Sequence, residues 1–373
     1  REKLGQLNAG FDPETFFIGA QMAVYHVEAG ARKFIEFSQR MISELGDAIR
    51  PYLKAIYNGA RDLPGMEELR KEMDTAADVE AINVDTIGID FEDWKKRVKE
   101  GEVIHDLDGA VVATLFFEPS TRTRLSFQAA INRVGAKALD LGNASVSSQS
   151  KGETWQDTIK TVDGYVDAIV MRTPIAGAAQ EAADIAVHPL INGGDGSRQH
   201  PTQALLDIYT MRKEKGHLGG QTITFLGDLK YGRTVHSLGY FMNQFHNKMI
   251  FASPDELKMP DEIKADLKAK GADFVETDDV KEALAQSDFV YVTRVQRERF
   301  PDEESYLKVK GSYILNNELL KCAKKDITIL HPLPRVDEIA TEVDSYPGAA
   351  YFRQAHNGMY VRMALLGLVT GKI

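Results

Sequence analysis

The feature that most constrains the fold of this chain is an alternation of short β-branched runs with longer amphipathic runs, which begins near Ala110. Such alternation is typical of βαβ units, in which a helix connects each strand to a parallel neighbour. It therefore predicts an α/β fold. The predicted strands are residues 110–117, 168–172, 221–227, 248–253, 288–293 and 326–330, and the predicted helices are 123–134, 153–164, 200–213, 233–245, 280–285 and 354–369.

Glycine turns divide this α/β region into two predicted lobes, each with a parallel sheet flanked by helices. Glycines at 216, 219 and 220 follow the predicted helix 200–213, and a new strand begins directly after them. We expect a first lobe of residues 86–214 plus 352–373, since the last helix can pack back on it, and a second lobe of residues 215–351. Residues 1–85 have helical periodicity without a catalytic motif, which predicts a helical N-terminal extension.

The charge and cysteine content of the 373 residues narrow the class of protein. A formal net charge of −10 and a pI of about 5.5 give no attraction to nucleic acid or anionic membranes, so we expect neither as a partner. The one cysteine, Cys322, excludes an internal disulfide and a cysteine-based metal cluster, and it suits the cytoplasm, where we expect the protein to act. No apolar run approaches the ~18 residues of a membrane span, and the first residues have no signal-peptide pattern. Because the sequence starts at Arg1 rather than methionine, it leaves open whether a targeting segment was removed.

One loop concentrates hydrogen-bond donors where a predicted strand is followed by a helix. It reads Glu118-Pro119-Ser120-Thr121-Arg122-Thr123-Arg124. A helix N-terminus presents unsatisfied N–H groups and partial positive charge, to which hydroxyls and a forked guanidinium add, so this loop predicts a phosphate site. Helix capping by Ser120 or Thr121 explains one hydroxyl but not five consecutive polar donors. Neither a Walker-type loop nor a Gly-x-Gly-x-x-Gly motif is present, which disfavours nucleotide binding.

Other polar stretches lie at predicted junctions of the fold, several of them at the carboxyl ends of strands, where open α/β sheets bind ligands. Each has an ordinary structural explanation when taken alone, such as a solvated Lys151, a helix-capping His200 or a surface Arg233. These stretches are residues 147–154, 171–174, 200–203, 230–233, 293–296 and 331–335.

Together these motifs resemble the aspartate/ornithine carbamoyltransferase family, from about Leu107 to Val369. The resemblance is carried by Phe-Phe-Glu-Pro-Ser-Thr-Arg-Thr-Arg at 116–124, His-Pro-Thr-Gln at 200–203 and His-Pro-Leu-Pro-Arg at 331–335. It implies one lobe for carbamoyl phosphate and one for the amino acid, in a homotrimer whose active sites lie between subunits and need no metal or organic cofactor. The ornithine branch typically has His-Cys-Leu-Pro at 331–334, where this chain has His-Pro-Leu-Pro, so aspartate is the preferred acceptor.

The reaction implied by the resemblance moves the carbamoyl group of carbamoyl phosphate to the α-amine of L-aspartate. The products are N-carbamoyl-L-aspartate and phosphate, in pyrimidine biosynthesis. Residue roles carry over by position in the family motifs. Ser120, Thr121, Arg122 and Thr123 match the carbamoyl phosphate loop; Arg172, His200 and Gln203 match contacts to its phosphate or carbamoyl group; Ser147 and Lys151 match a loop that enters a neighbouring subunit's site and meets both substrates; Arg233, Arg294, Gln296 and Leu333 match the aspartate set.

The candidates for catalysis are Thr123, Arg172, His200 and Lys151. The first three can donate to the oxyanion that develops on the carbonyl group, and the leaving phosphate can itself accept a proton, so no enzyme nucleophile is needed. The sequence leaves open whether His200 is neutral or charged.

Several alternatives remain open at this point. Arg233 and Arg294 suit a dianionic acceptor, but the acceptor can also be ornithine or another amino acid, and the fold can serve as a non-catalytic anion-binding scaffold. The chain departs from the family pattern at Thr173, where histidine is common, and at Ser150, where some members have lysine. Residues 1–85 exceed the usual N-terminal segment of the family, and serve either as a structural cap or as a docking surface for a regulatory or pathway partner.

Overall fold

The computed structural model describes residues 91–142, 151–196, 200–296, 300, 302–309, 311 and 313–370, without the side chains of residues 91–93, 305 and 308. The predicted helical extension over residues 1–85 and the predicted site residue Ser147 lie outside this part of the chain. The described residues form two compact units. One comprises the residues up to Thr202 together with those from Gly358 onward, and the other is Gln203–Asn357.

The first unit is built on a parallel sheet with helices between its strands. Its strands are β1 (Val111–Phe116), β2 (Lys137–Asp140), β3 (Ala168–Thr173) and β4 (Leu190–Asp195), and its helices are α1 (Phe91–Lys99), α2 (Thr121–Arg133), α3 (Trp155–Asp163) and α4 (Ala178–Ile185). The four strands lie in the order β2-β1-β3-β4, and every neighbouring pair is parallel. The helix α5 (Pro201–Lys215) begins in this unit and continues into the next.

Strands β1, β3 and β4 of the first sheet are buried along almost their whole length, as expected for parallel strands covered by helices. Leu115 of β1, Ile169 of β3 and Leu190 of β4 share one apolar cluster with Ile159 of α3 and Ala182 of α4. Burial at this density fixes the strands, so the loops at their carboxyl ends have rigid supports.

The second unit repeats the same architecture with five strands. Its strands are β5 (Thr222–Gly227), β6 (Lys248–Ala252), β7 (Phe274–Thr277), β8 (Phe289–Thr293) and β9 (Thr328–Leu330), and its helices are α6 (Arg233–Gln244), α7 (Asp261–Ala269), α8 (Val280–Gln286), α9 (Glu303–Val309), α10 (Asn317–Leu320) and the start of α11 (Tyr351–Thr370). The strands are parallel throughout, in the order β7-β6-β5-β8-β9.

Each sheet contains one point where the direction of strand addition reverses. In the first sheet the chain moves outward from β1 to β2 and then returns to place β3 on the other side of β1; in the second sheet the same reversal separates β5 from β8. Loops leaving two such neighbouring strands diverge and open a crevice, which is where open α/β sheets bind ligands. The sheet topology therefore predicts ligand sites at the loops after β1 and β3, and at those after β5 and β8.

Candidate active site

The loop after β1 ends in a helix N-terminus whose donors are not used for capping. Ser120 is the N-cap residue of α2, with extended φ and ψ of −158° and 96°, yet its side chain makes no capping hydrogen bond. The first turn of α2 contains no acidic residue that would offset the positive end of the helix dipole from within the helix. Thr121 and Arg122 are exposed, and Thr123 is buried. The capping explanation for Ser120 is therefore wrong. Its hydroxyl is not used for capping, as the prediction of a phosphate site requires.

Arg124, the last residue of the predicted phosphate loop, has a structural role instead. Its guanidinium is paired with Asp140 at the end of β2, with Nε 3.1 Å from Oδ1. The same carboxylate accepts from the Thr114 hydroxyl at 2.7 Å and from the backbone N–H of Gly142 at 3.1 Å. Partial burial alone would raise the pKa of Asp140, but these hydrogen bonds outweigh it and hold the pKa below its usual range. Arg124 thus ties α2 to β2.

Arg172, near the end of β3, is the centre of a buried polar cluster. Its side chain is almost fully buried, and Nη2 is ion-paired with Oε1 of Glu118 at 2.6 Å. Nη1 donates to the backbone carbonyl of Gly193 at 3.0 Å and lies 3.1 Å from Nε2 of His200. Three strand-end segments of the first sheet therefore converge on one guanidinium, and the predicted residues Arg172 and His200 are brought together.

The contact between Arg172 and His200 also answers the question of the histidine's protonation. A guanidinium is always protonated and can only donate, so Nε2 of His200 must be the acceptor. The imidazole is consequently neutral in this arrangement, with its proton on Nδ1. A neutral His200 can donate one N–H to a ligand without adding a full charge to the site.

The sequence analysis missed Gly194, which makes room for Arg172. Gly194 has a φ of +135°, and a Cβ placed on it would lie 2.7 Å from Nη1 of Arg172. No other residue type fits both that backbone conformation and that close approach. The adjacent glycines of Asn-Gly-Gly-Asp mark a close approach only once the segment is known to be a strand, and the sequence analysis did not predict that strand.

In the second unit, Asp228 joins the two loops that carry the predicted aspartate-binding residues. This buried carboxylate accepts the backbone N–H of Tyr231 at 2.9 Å and that of Gln296 at 3.2 Å. The Gln296 side chain in turn donates to the carbonyl of Tyr231 at 2.9 Å. Arg233 begins α6 two residues after Tyr231, and Arg294 lies two residues before Gln296. The loops after β5 and β8 are thereby fixed together, and Asp228 is a second residue that the sequence analysis missed.

Leu333 lies in a turn with an unusual backbone. Its φ is +56°, and the peptide bond to Pro334 is cis. Nδ1 of His331 accepts the Leu333 N–H at 2.7 Å, while Nε2 of His331 is 2.6 Å from Oε1 of Glu338. Burial alone would raise the pKa of Glu338, but hydrogen bonds from His331 and the backbone outweigh it and hold the pKa below its usual range. A non-glycine residue at positive φ persists only where its surroundings hold it, and such residues cluster at ligand sites.

Two further predicted site residues are Gln203 and Lys151. Gln203, in the first turn of α5, belongs to the second unit and donates to Asp207. Lys151 is exposed, in a short turn before α3. Within the described residues, no group of three or more His, Cys, Asp or Glu could hold a metal ion, and no helix is long and apolar enough to cross a membrane.

Comparison with protein families gives two consecutive matches that together cover most of the chain. Residues 71–213 match the carbamoyl-P binding domain of aspartate/ornithine carbamoyltransferase, and residues 219–369 match the Asp/Orn binding domain. The chain belongs to the aspartate/ornithine carbamoyltransferase family. Within this carbamoyltransferase chain, the loop 120–123, Arg172, His200 and Gln203 fall in the first matched domain, and Arg233, Arg294, Gln296 and Leu333 fall in the second.

Among members of this family, the aspartate carbamoyltransferase catalytic subunit of Thermococcus kodakarensis is 55% identical over 263 residues, which are 70% of this chain and 85% of the relative. The corresponding subunit of Methanopyrus kandleri is 52% identical over 277 residues, 74% of this chain and 90% of the relative.

Solved structures agree with these sequence relatives. The M. jannaschii aspartate transcarbamoylase catalytic subunit has a TM-score of 0.70 at 47% identity, and the match covers 75% of this chain and 91% of that one. The Trypanosoma cruzi aspartate transcarbamoylase in complex with N-(phosphonacetyl)-L-aspartic acid has a TM-score of 0.71 at 40% identity, covering 75% and 89%.

Proposed function

We propose that this chain transfers the carbamoyl group of carbamoyl phosphate to the α-amine of L-aspartate, giving N-carbamoyl-L-aspartate and phosphate for pyrimidine biosynthesis. The observation that carries the proposal is that each of the two sheets has one point where the strand order reverses, and that the loops at these two points have different polar side chains. The first reversal offers hydroxyls, Arg122 and Arg172 to a phosphorylated donor; the second offers Arg233 and Arg294 to a dianionic acceptor. Relatives named aspartate carbamoyltransferase, and a T. cruzi structure with carbamoyl phosphate and aspartate, support the same reaction.

For the donor, we assign the phosphate to Ser120, Thr121, Arg122 and Thr123, with Gln203 at the carbamoyl group. Thr123, Arg172 and His200 stabilise the carbonyl oxygen as it gains negative charge, because all three can donate to it. Glu118 already occupies one edge of the Arg172 guanidinium, so an arriving anion competes with that carboxylate for it. The exchange replaces an internal ion pair with one to the substrate.

For the acceptor, we assign the two carboxylates of aspartate to Arg233 and Arg294, each through a forked pair of hydrogen bonds. Gln296, the backbone at Leu333 and Lys151 complete the set. The neutral α-amine attacks the carbonyl carbon, the bond from that carbon to the phosphate oxygen breaks, and the amine proton passes to the departing phosphate, whose second pKa is about 6.

Acceptor choice tests this proposal directly. The purified chain should use L-aspartate at least about 100-fold more efficiently than L-ornithine, because the side-chain ammonium of ornithine would face arginines placed for a carboxylate. The measurement is kcat/KM for each amino acid at saturating carbamoyl phosphate, with product identified by mass. A preference for ornithine would overturn the acceptor assignment. Binding of carbamoyl phosphate without transfer to either amino acid would point to a scaffold.

We also propose a homotrimer with active sites shared between neighbouring subunits, acting in the cytoplasm. Lys151 is exposed beside the segment that contains Ser147, and both match the family loop that enters a neighbour's site. The exposed thiol of Cys322 is compatible with a reducing compartment.

Mixing two inactive variants tests the shared site. Lys151→Ala and Arg122→Ala subunits, each inactive alone, should regain about a quarter of wild-type specific activity when unfolded and refolded together in equal amounts. In random trimers that is the fraction of sites pairing an intact Arg122 with a neighbour's intact Lys151. The control is each variant refolded alone. Activity that stays at the level of the separate variants would contradict a shared site.

A further inference from the structure

Asp207, on α5, is a fully buried carboxylate that anchors several side chains of the second unit. Its Oδ1 accepts from Nε2 of Gln203 at 2.8 Å and from Nε2 of Gln354 at 2.6 Å, and its Oδ2 accepts from the Tyr291 hydroxyl at 2.8 Å. These donors are themselves buried. Each bond is held firmly, because breaking it would leave a buried donor or part of a buried charge uncompensated.

The bond to Asp207 decides which end of the Gln203 amide is available to a ligand. An ionised carboxylate accepts hydrogen bonds and cannot donate, so the amide nitrogen of Gln203 must be the end that faces it. The carbonyl oxygen is at the other end of the same planar amide group. The carbonyl oxygen is therefore the end of the Gln203 amide that is left to accept a hydrogen bond from a ligand.

The Leu333 turn is connected to the same carboxylate and has the same polarity. Oε1 of Gln354 accepts the backbone N–H of His331 at 2.9 Å, and Nδ1 of His331 accepts the N–H of Leu333 at 2.7 Å. Pro332 and Pro334 have no N–H to offer. Residues 332–334 can consequently present only carbonyl oxygens to a ligand.

From these contacts we infer that Asp207 is a positioning residue that makes the enzyme select a carbamoyl –NH2 over a methyl group at the same position of the donor. The inference rests on the proposed function, in which Gln203 contacts the carbamoyl group of the donor, while the Leu333 turn, assigned there to aspartate, has the same polarity. Asp207 orients the Gln203 amide directly, and it orients the Leu333 turn through Gln354 and His331. In both places it makes carbonyl oxygens, which are hydrogen-bond acceptors, available to a ligand. Acceptors bind the N–H groups of carbamoyl phosphate, whereas the methyl group of acetyl phosphate leaves them without a partner.

The test is the ratio between two affinities, the Ki of acetyl phosphate as a competitive ligand and the KM of carbamoyl phosphate. Asp207→Asn presents an –NH2 to Gln203, which allows the Gln203 amide to turn over and expose its own N–H groups. We expect the ratio to fall about tenfold or more. A general loss of structure would weaken both ligands alike and leave the ratio unchanged.

Tyr291→Phe is the matched control within the same network. It removes the donor to Oδ2 of Asp207 and leaves both amide bonds to Oδ1, so the ratio should stay near the wild-type value even if the melting temperature falls. A folded Asp207→Asn protein with the wild-type ratio would overturn the inference.

A second variant covers the case in which Asp207→Asn does not fold. Gln203→Met removes the amide and its bond to Asp207 but leaves the carboxylate itself in place, and the inference again requires the ratio to fall about tenfold. An unchanged ratio would overturn it. Direct calorimetric binding of both phosphates to the wild-type chain separates the two proposals. A chain that prefers carbamoyl phosphate but does not carbamoylate aspartate contradicts the proposed function, while transfer without any preference over acetyl phosphate contradicts the role of Asp207.

Discussion

Replacing Arg122 with alanine is expected to lower kcat/KM for carbamoyl phosphate by about 10²- to 10³-fold, while the melting temperature changes little. Arg122 is exposed in the first turn of α2, so the fold loses little buried contact when it is truncated. The ligand, however, loses a forked, charge-assisted pair of hydrogen bonds at the positive end of a helix that has no acidic residue in its first turn. Initial rates and a thermal melt on the same preparation separate the two effects.

Arg133→Ala is the matched control for that variant. Arg133 is an exposed arginine in the last turn of the same helix, so its removal costs the same charge and a similar side chain at the other end of α2. We expect activity within about twofold of wild type, as for an ordinary surface substitution. Equal losses in the two variants would mean that net charge, rather than the loop 120–123, governs donor binding.

Replacing Arg294 with alanine should raise KM for aspartate by about 10²-fold and leave KM for carbamoyl phosphate within a few-fold of wild type. The reason is the position of Arg294 at the end of β8, in a loop that Asp228 holds against the loop after β5. With its supports intact, the variant keeps the shape of the loop and loses one carboxylate partner. Steady-state kinetics with each substrate varied in turn measure both constants.

Lys258→Ala is the charge-matched control in the same unit, since Lys258 forms only a surface pair with Asp255 among the described residues. Both Michaelis constants should remain near wild type, because exposed ion pairs contribute little. If Arg294→Ala weakened carbamoyl phosphate instead of aspartate, the assignment of acceptor to the second unit would be wrong.

The α/β architecture and its parallel sheets could be predicted because buried parallel strands leave a strong mark on a sequence. Residues 110–117 and 288–293 were predicted as strands and are observed as Val111–Phe116 and Phe289–Thr293, both of them almost wholly buried. Strands β2, β4 and β7 were not predicted. All four residues of β2 are exposed, β4 contains two adjacent glycines, and β7 is a short strand at the edge of its sheet, so none of the three has the continuous apolar pattern of an inner strand.

The candidate site likewise divides into residues that we propose to contact ligands and residues that support them. Arg172 and His200 belong to motifs dense in donors, and the structure brings them together. Gly194, Asp207 and Asp228 belong to no such motif. Their importance depends on what lies beside them in space, a guanidinium, two amides and two backbone N–H groups, and a linear pattern contains none of that information.

The strand order reverses once in each of two separate sheets, and this has a consequence for redesigning the choice of amino-acid acceptor. Arg122 and Arg172, which we propose for the donor, follow β1 and β3, whereas Arg233 and Arg294, which we propose for the acceptor, follow β5 and β8, so the two acceptor loops can be varied while both donor arginines are kept. Two positions limit such variation. Asp228 must remain to join the loops, and so must Gly227, where a Cβ would lie 2.3 Å from the Thr293 carbonyl oxygen. A library for new amino-acid acceptors should therefore vary the arginines and keep the glycine and aspartate that hold them in place.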